Sequence, residues 1–279
     1  MDIKQHANDR AVLLPGSVLP AGPAYGALIA ALGTGVEVLA KDLEVYAAPT
    51  PPPDDYSLDT EIDGVLRETD ARGWKTFHLV GYSGGGASAL AFPAKHPERL
   101  ESLALLEPAW AGNWGWSEAH RALWQRYREL DGLPPDEFMA QFVRLGVRPG
   151  VTAGLPTGGG EQPPWLALRP AGIRAFVRTF ETYDLDRDSL ARFWRPVYFA
   201  LGALSNPDDY GEIAERLSTV FPDFRLEVFA GRHHFDPPHR VEPERVAASL
   251  RALWDSAAVG VAPPADPARH LRCAVTFAG

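Results

Sequence analysis

Residues 76–86 read Thr-Phe-His-Leu-Val-Gly-Tyr-Ser-Gly-Gly-Gly, and few folds accommodate such a stretch. Thr76 to Gly81 is an apolar run that predicts a buried strand, and Ala87 to Lys95 predicts a helix. Only a tight turn can join the two, and it must carry Ser83. Side chains flanking such a turn would collide with neighbouring backbone, which is why glycine is favoured there. The turn lifts the serine hydroxyl above the sheet edge, and the helix behind it offers free N–H groups and a positive dipole end. Other glycine-rich turns fit less well. A Walker A loop ends in Gly-Lys-Ser/Thr, which is absent, and Gly81, Gly84, Gly85 and Gly86 do not match Gly-x-Gly-x-x-Gly. Gly81-Tyr82-Ser83-Gly84-Gly85 does match G-x-S-x-G between strand and helix, so Ser83 reads as a nucleophile. A glycine-rich connection without chemistry is the alternative.

The rest of the chain sets this turn in a repeating context. Ala11–Leu14, Val36–Ala40, Leu100–Leu106, Pro196–Leu201 and Arg225–Phe229 are short apolar runs that predict strands. Tyr25–Leu32 predicts a short helix. Leu58, Ile62, Val65 and Leu66 recur at helical spacing up to Gly73, as do Ile213, Leu217 and Val220, and then Val246, Leu250, Leu253 and Trp254. Alternating strand and helix implies an α/β class, a mostly parallel sheet with helices on both faces. The alternation breaks from Ala109 to Arg192. That span carries Trp110, Trp114, Trp116, Trp124, Phe138, Phe142 and the loop Gly150–Pro164, with no convincing strand. It predicts a helical insertion at 109–192 between two parts of a core, 1–108 and 193–279. The tail from Ala257 is rich in Ala and Pro.

The formal charge of −9 disfavours a nucleic-acid or anionic-membrane surface, since both repel an acidic protein. One cysteine, Cys273, allows no intrachain disulfide and no cysteine metal cluster. Met1 to Arg10 is polar and lacks the apolar core of a signal peptide, and no apolar run is long enough to span a bilayer. The expectation is a cytoplasmic protein acting on a small molecule, with no metal or cofactor motif and no assignable oligomeric state.

Over about residues 11–256 the chain resembles the α/β-hydrolase family. The likeness rests on Leu14-Pro15-Gly16-Ser17 after the first strand, the turn at Ser83, and a histidine after the last strand. Two features depart from the family pattern. The first predicted strand corresponds to the family's third, so the N-terminal hairpin is expected to be reduced, and Pro15-Gly16 stands where His-Gly is usual. The resemblance places the catalytic base in Gly231-Arg232-His233-His234-Phe235, at His234, with His233 as the second choice. His78 is expected in the core, and His239 lies further along the following loop. The usual acid position, after the penultimate strand, falls on Ser205. The acid is then expected at Glu107, after the strand that follows the nucleophile, as in proteins resembling haloalkane dehalogenases. Asp208 or Asp209 is the alternative, although both are expected in a solvated loop. The resemblance assigns the oxyanion hole to the backbone N–H groups of Gly84 and Ser17, with Val18 in reserve, since Pro15 has no N–H.

A serine in this place implies acyl transfer to and from an ester, thioester or lactone, and the insertion is expected to act as a lid lined by aromatics for a small apolar substrate. It excludes the aspartate-nucleophile mechanisms of dehalogenases and epoxide hydrolases. Other chemistries on the same fold stay open: a hydroxynitrile lyase, a cofactor-free haloperoxidase, a carbon–carbon bond hydrolase, or a ligand-binding member.

Overall fold

The apolar runs pair into one sheet in the computed structural model, which describes residues 9–154 and 163–258. The strands are β1 (Asp9–Leu14), β2 (Val36–Ala40), β3 (Phe77–Tyr82), β4 (Leu100–Pro108), β5 (Val197–Gly202) and β6 (Phe224–Phe229). Their order is β2-β1-β3-β4-β5-β6, and every neighbouring pair is parallel. The central strands β1, β3, β4 and β5 are mostly apolar because both faces are covered. Residue parity divides them. Ala11, Leu13, Val80, Ala104, Leu106, Tyr198 and Ala200 face α1 (Ala21–Leu32) and the last helix, where Tyr25, Leu28, Leu250 and Trp254 meet them. Val12, Leu14, Leu79, Leu103, Leu105 and Phe199 face the opposite way, toward Ile62 and Val65 of α2 (Leu58–Ala71), Leu90 of α3 (Ser83–Lys95) and Ile213 further along.

Several elements differ in extent from the sequence expectation, the first helix among them, which begins at Ala21 rather than Tyr25. The helix after the turn begins at Ser83 rather than Ala87, and the strand expected to end at Leu106 continues through Pro108. The low helix propensity of three consecutive glycines is overridden by packing: a Cβ on Gly85 would lie 2.3 Å from the Pro15 carbonyl oxygen, and one on Gly86 2.7 Å from Pro108 Cα. Only glycine lets this first turn press against the neighbouring strand ends.

Between β4 and β5 run α4 (Glu118–Glu129), α5 (Pro135–Leu145), α6 (Arg169–Thr182) and α7 (Arg187–Arg192), with no strand of the main sheet among the described residues. Leu123, Tyr127, Phe138, Val143 and Ile173 from this span form a cluster with Val18 and Phe235 from loops of the sheet domain. Phe176, Phe180, Leu185 and Leu190, by contrast, join the cluster on the α3 face. After β5 come α8 (Glu212–Ser218), then β6, the single-turn α9 (Pro238–Val241) and α10 (Pro243–Ala258). The tail beyond residue 258 with Cys273, residues 155–162 of the expected loop, and residues 1–8, on which a reduced hairpin would fall, lie outside the described residues. No helix among the described residues is long and apolar enough to cross a membrane.

A buried carboxyl on α2 anchors the loop beside the first strand. Glu61 is fully buried and accepts hydrogen bonds from the N–H groups of Glu44 (2.8 Å) and Val45 (2.9 Å) and from the Tyr56 hydroxyl (2.8 Å). The next residue, Tyr46, donates to the Ser17 carbonyl at 3.0 Å. Burial pushes the Glu61 carboxyl up, and the backbone donors oppose that shift. Removing the acceptor orphans two buried N–H groups, each worth about 1–3 kcal/mol. Glu61→Ala should therefore lower the urea-unfolding free energy by roughly 3 kcal/mol or more. A loss below about 1 kcal/mol would show that water replaces the carboxylate at little cost.

Candidate active site

Parallel pairing of β3 with β4 brings two chain reversals side by side. Tyr82 pairs with Leu106, so Ser83 and Glu107 follow at adjacent strand ends, and Ala109 N–H closes the gap by donating to the Ser83 carbonyl at 2.9 Å. Both residues hold left-handed backbone, φ 53° at Ser83 and φ 49° at Glu107. They are the only non-glycine residues with positive φ among the described ones, a conformation costing about 1–3 kcal/mol each. It turns the Ser83 hydroxyl and the Glu107 carboxylate upward from neighbouring strands.

His234 lies between them. Its Nε2 is 2.9 Å from Ser83 Oγ, and its Nδ1 is 3.1 Å from Glu107 Oε2. With a carboxylate at Nδ1, the network favours the tautomer in which Nδ1–H donates to Glu107 and Nε2 accepts from the serine. The ring is buried, stacked on Tyr210 at a centroid distance of 4.2 Å and 14° between planes, with Phe235 edge-on. The Tyr82 hydroxyl donates to the His234 carbonyl, fixing the backbone as well.

Glu107 is buried, and its second oxygen is fully engaged. Oε1 accepts from the Gly202 N–H at 2.7 Å and from the Ser205 hydroxyl at 2.6 Å. Ser205 occupies the position where the family usually carries its acid. Here it serves as a donor to a carboxylate supplied from the adjacent strand.

Ser17 and Gly84 line the same pocket as Ser83. A Cβ on Gly84 would come within 2.5 Å of Ser17 Oγ, so the loop after β1 and the start of α3 touch at this glycine. Val18 packs with Leu123 and Phe138 instead. The pocket is narrow, about 30 Å³, and its far wall is aromatic, built from Trp124, Tyr127, Phe142, Phe176 and Phe180.

The other candidates lie elsewhere. His233 is half-buried, and its Nδ1 accepts the Phe235 N–H at 3.2 Å within the turn. His78 is a core residue 2.8 Å from Ser102 Oγ. His239 is buried on α9 against the rings of Tyr25 and Tyr82, and burial holds its imidazole down at about 3. Asp208 is exposed, as expected of a loop, but Asp209 is 1% exposed, which overturns the expectation of a solvated side chain there. The cause is a π-helical turn, Pro207–Gly211, capped by Asn206 Oδ1, which accepts from the Asp208 N–H at 3.1 Å. Its wide winding turns Asp209 and Tyr210 inward. Burial pushes the Asp209 carboxyl up to about 8; the charges of Glu107 and Glu212 act in the same direction, and the Tyr127 hydroxyl opposes them.

Several residues of this site escaped the sequence reading. Tyr210 carries no motif signal, and Tyr82 occupies the unspecified position of G-x-S-x-G. Asp209 had a usable signal, the Asn-Pro-Asp-Asp-Tyr-Gly sequence of a capped turn. Among the described residues no group of three or more His, Cys, Asp or Glu side chains is arranged to hold a metal.

Comparison with known proteins agrees with this architecture. Residues 11–249 match the family described as "Alpha/beta hydrolase family". Carboxylesterase CesB (YbfK) from Bacillus subtilis superposes with a TM-score of 0.64 at 18% identity, covering 91% of this chain and 85% of that one. A thermophilic esterase from Thermogutta terrifontis gives 0.65 at 18% identity, covering 89% and 90%. The putative carbamate hydrolase RutD of Caulobacter segnis is 35% identical over 66 residues, 24% of this chain, so the match spans only 22% of that relative's length. The solved structures share the fold at low identity, whereas the family match runs from the first strand into the last helix, and on that ground this chain belongs to the alpha/beta hydrolase family.

Proposed function

We propose that this protein is a serine hydrolase that cleaves an ester, thioester or lactone of a small, largely apolar substrate through an acyl-enzyme on Ser83. The observation that carries this reading is the continuous contact from Ser83 Oγ to His234 Nε2 (2.9 Å) and from His234 Nδ1 to Glu107 Oε2 (3.1 Å). A serine hydroxyl attacks a carbonyl only when a base takes its proton as the bond forms. His234 is that base. Glu107 stabilises the imidazolium and holds the tautomer, while Gly202 and Ser205 keep the carboxylate oriented. The tetrahedral oxyanion is received by the Gly84 and Ser17 N–H groups. His234 then protonates the leaving alkoxide or thiolate, and in the second half-reaction it activates the water that releases the acid.

Helices from residues 109–192 act as the lid. The support is the pocket wall: Trp124, Phe142 and Phe176 come from α4, α5 and α6, while Ser83 comes from the sheet. The insertion then shapes the apolar part of the pocket, and the strand ends supply the chemistry.

Turnover of p-nitrophenyl esters of graded chain length tests the reaction class. Ser83→Ala should abolish it, and a fluorophosphonate should label wild-type protein on the peptide containing Ser83; an adduct elsewhere, or full activity in Ser83→Ala, would remove the nucleophile assignment. Glu107→Gln keeps the shape but permits the wrong histidine tautomer, and should lower kcat by about 10²–10⁴, the upper value matching the trypsin case in which this change is known. Asp208→Asn, on an exposed side chain, should stay within about twofold of wild type. Activity surviving in Glu107→Gln would contradict the assignment of the acid.

A further inference from the structure

We propose that Asp209 is a substrate-binding residue, the anionic end of the pocket, and that it selects substrates carrying a protonated amine on an aromatic or apolar body. This inference deepens the reading above and rests on the Ser83 pocket being the substrate site.

Asp209 lines the same pocket as Ser83, Ser17 and Gly84. Its Oδ1 is buried and has no hydrogen-bond partner, and its Oδ2 has only a long contact, 3.4 Å, from the Tyr127 hydroxyl. The indole N–H of Trp124, on the same wall, has no partner at full hydrogen-bond distance either; it faces the Asp209 carboxyl and, with Tyr127, partly offsets the effect of burial there. A buried carboxyl is costly to leave unsatisfied, and natural proteins seldom do so away from functional sites. The structure offers it no compensating cation. His120 Nδ1 is 3.9 Å from Oδ1, but that nitrogen is 2.8 Å from the Asp208 carbonyl, and burial holds the ring down at about 4, so it is neutral near pH 7. Glu107 and Glu212 add negative potential, and Tyr127 and Tyr210 remain neutral phenols because burial raises both.

The surroundings of this carboxyl therefore have a definite chemistry. An acceptor oxygen, negative surroundings and aromatic faces at Trp124, Tyr127, Phe142 and Phe176 attract a cation with N–H donors. An anionic substrate group would be repelled, and a neutral apolar group would leave Oδ1 orphaned. Without ligand the carboxyl is held neutral by burial, with its midpoint raised to about 8. An ammonium placed against it favours the carboxylate, so binding near pH 7 expels the Asp209 proton to solvent.

Calorimetry with benzylammonium and benzyl alcohol, which share a ring and differ in charge, tests this on wild-type, Asp209→Asn and Ser83→Ala protein at pH 7. The expected result is benzylammonium binding on the order of 10–100-fold tighter than the alcohol to wild type. That preference should disappear in Asp209→Asn, with alcohol affinity within about twofold. Its heat of binding to wild type should also vary with the ionisation enthalpy of the buffer, which reports proton release and requires no variant. The alcohol should show no such dependence. Equal affinity for the two ligands, or a preference that survives in Asp209→Asn, would overturn the proposal. Ser83→Ala should retain the amine preference. If wild type shows that preference yet hydrolyses no ester, Asp209 keeps this role and the hydrolase reading is the one that fails.

Discussion

A negative charge buried at the end of β4 organises the catalytic face. Glu107 is removed from water, and such a carboxylate is tolerated only when its lone pairs are met. Three groups meet them: His234 Nδ1, the Gly202 N–H and the Ser205 hydroxyl. These groups come from the loop after β6, the last residue of β5 and the loop after β5. One side chain thus ties three strand ends into a fixed arrangement, and the histidine it positions reaches Ser83 on a fourth. Because each partner is itself held, by Tyr82 to the His234 carbonyl and by the β5–β6 ladder at Gly202, small displacements of the relay are resisted from several directions.

Parallel pairing explains why these residues come from such distant parts of the sequence. All six strands end on the same edge, so every loop after a strand empties onto one face. Ser83 and His234 are 151 residues apart in sequence and 2.9 Å apart in space. The left-handed backbone at Ser83 and Glu107 belongs to the same geometry, since the two residues stand side by side, one where β3 gives way to α3 and the other just before β4 ends at Pro108. The glycines around Ser83 are the local condition: Gly85 brings α3 against Pro15, whose carbonyl accepts the Gly85 N–H at 3.1 Å.

The sheet was legible because its central strands are buried on both faces and therefore appear as short, mostly apolar runs, from Ala11–Leu14 to Pro196–Leu201. The turn at Ser83 was legible because close backbone approach leaves only glycine at its flanks. Pairings across the site were harder to read. Ser205 looked like a lost acid; its role as a donor emerges only once Glu107 is seen on the adjacent strand, since register is not written in either segment alone. Asp209 was misjudged for a related reason. Two consecutive aspartates after a proline suggest a solvated loop, but a single wide turn points one outward and the other into an aromatic wall, and no periodicity extends over so short a segment.

Glu107 and Asp209 show how environment, more than residue type, sorts two carboxyl groups in one site. Both are almost fully buried, and each raises the cost of charge on the other. Glu107 gathers donors from three directions, while Asp209 keeps one long contact and an oxygen with none. Burial with so few donors disfavours the ionised form of Asp209. This separation matters to the relay. A second fixed anion beside Glu107 would add unpaired negative charge next to the His234 ring. A carboxyl that stays neutral until a cation arrives avoids that effect, and once the cation is bound the pair adds little net charge to the pocket. The orphaned oxygen of Asp209 is therefore compatible with a working base next to it, because its charge appears only together with the group that neutralises it.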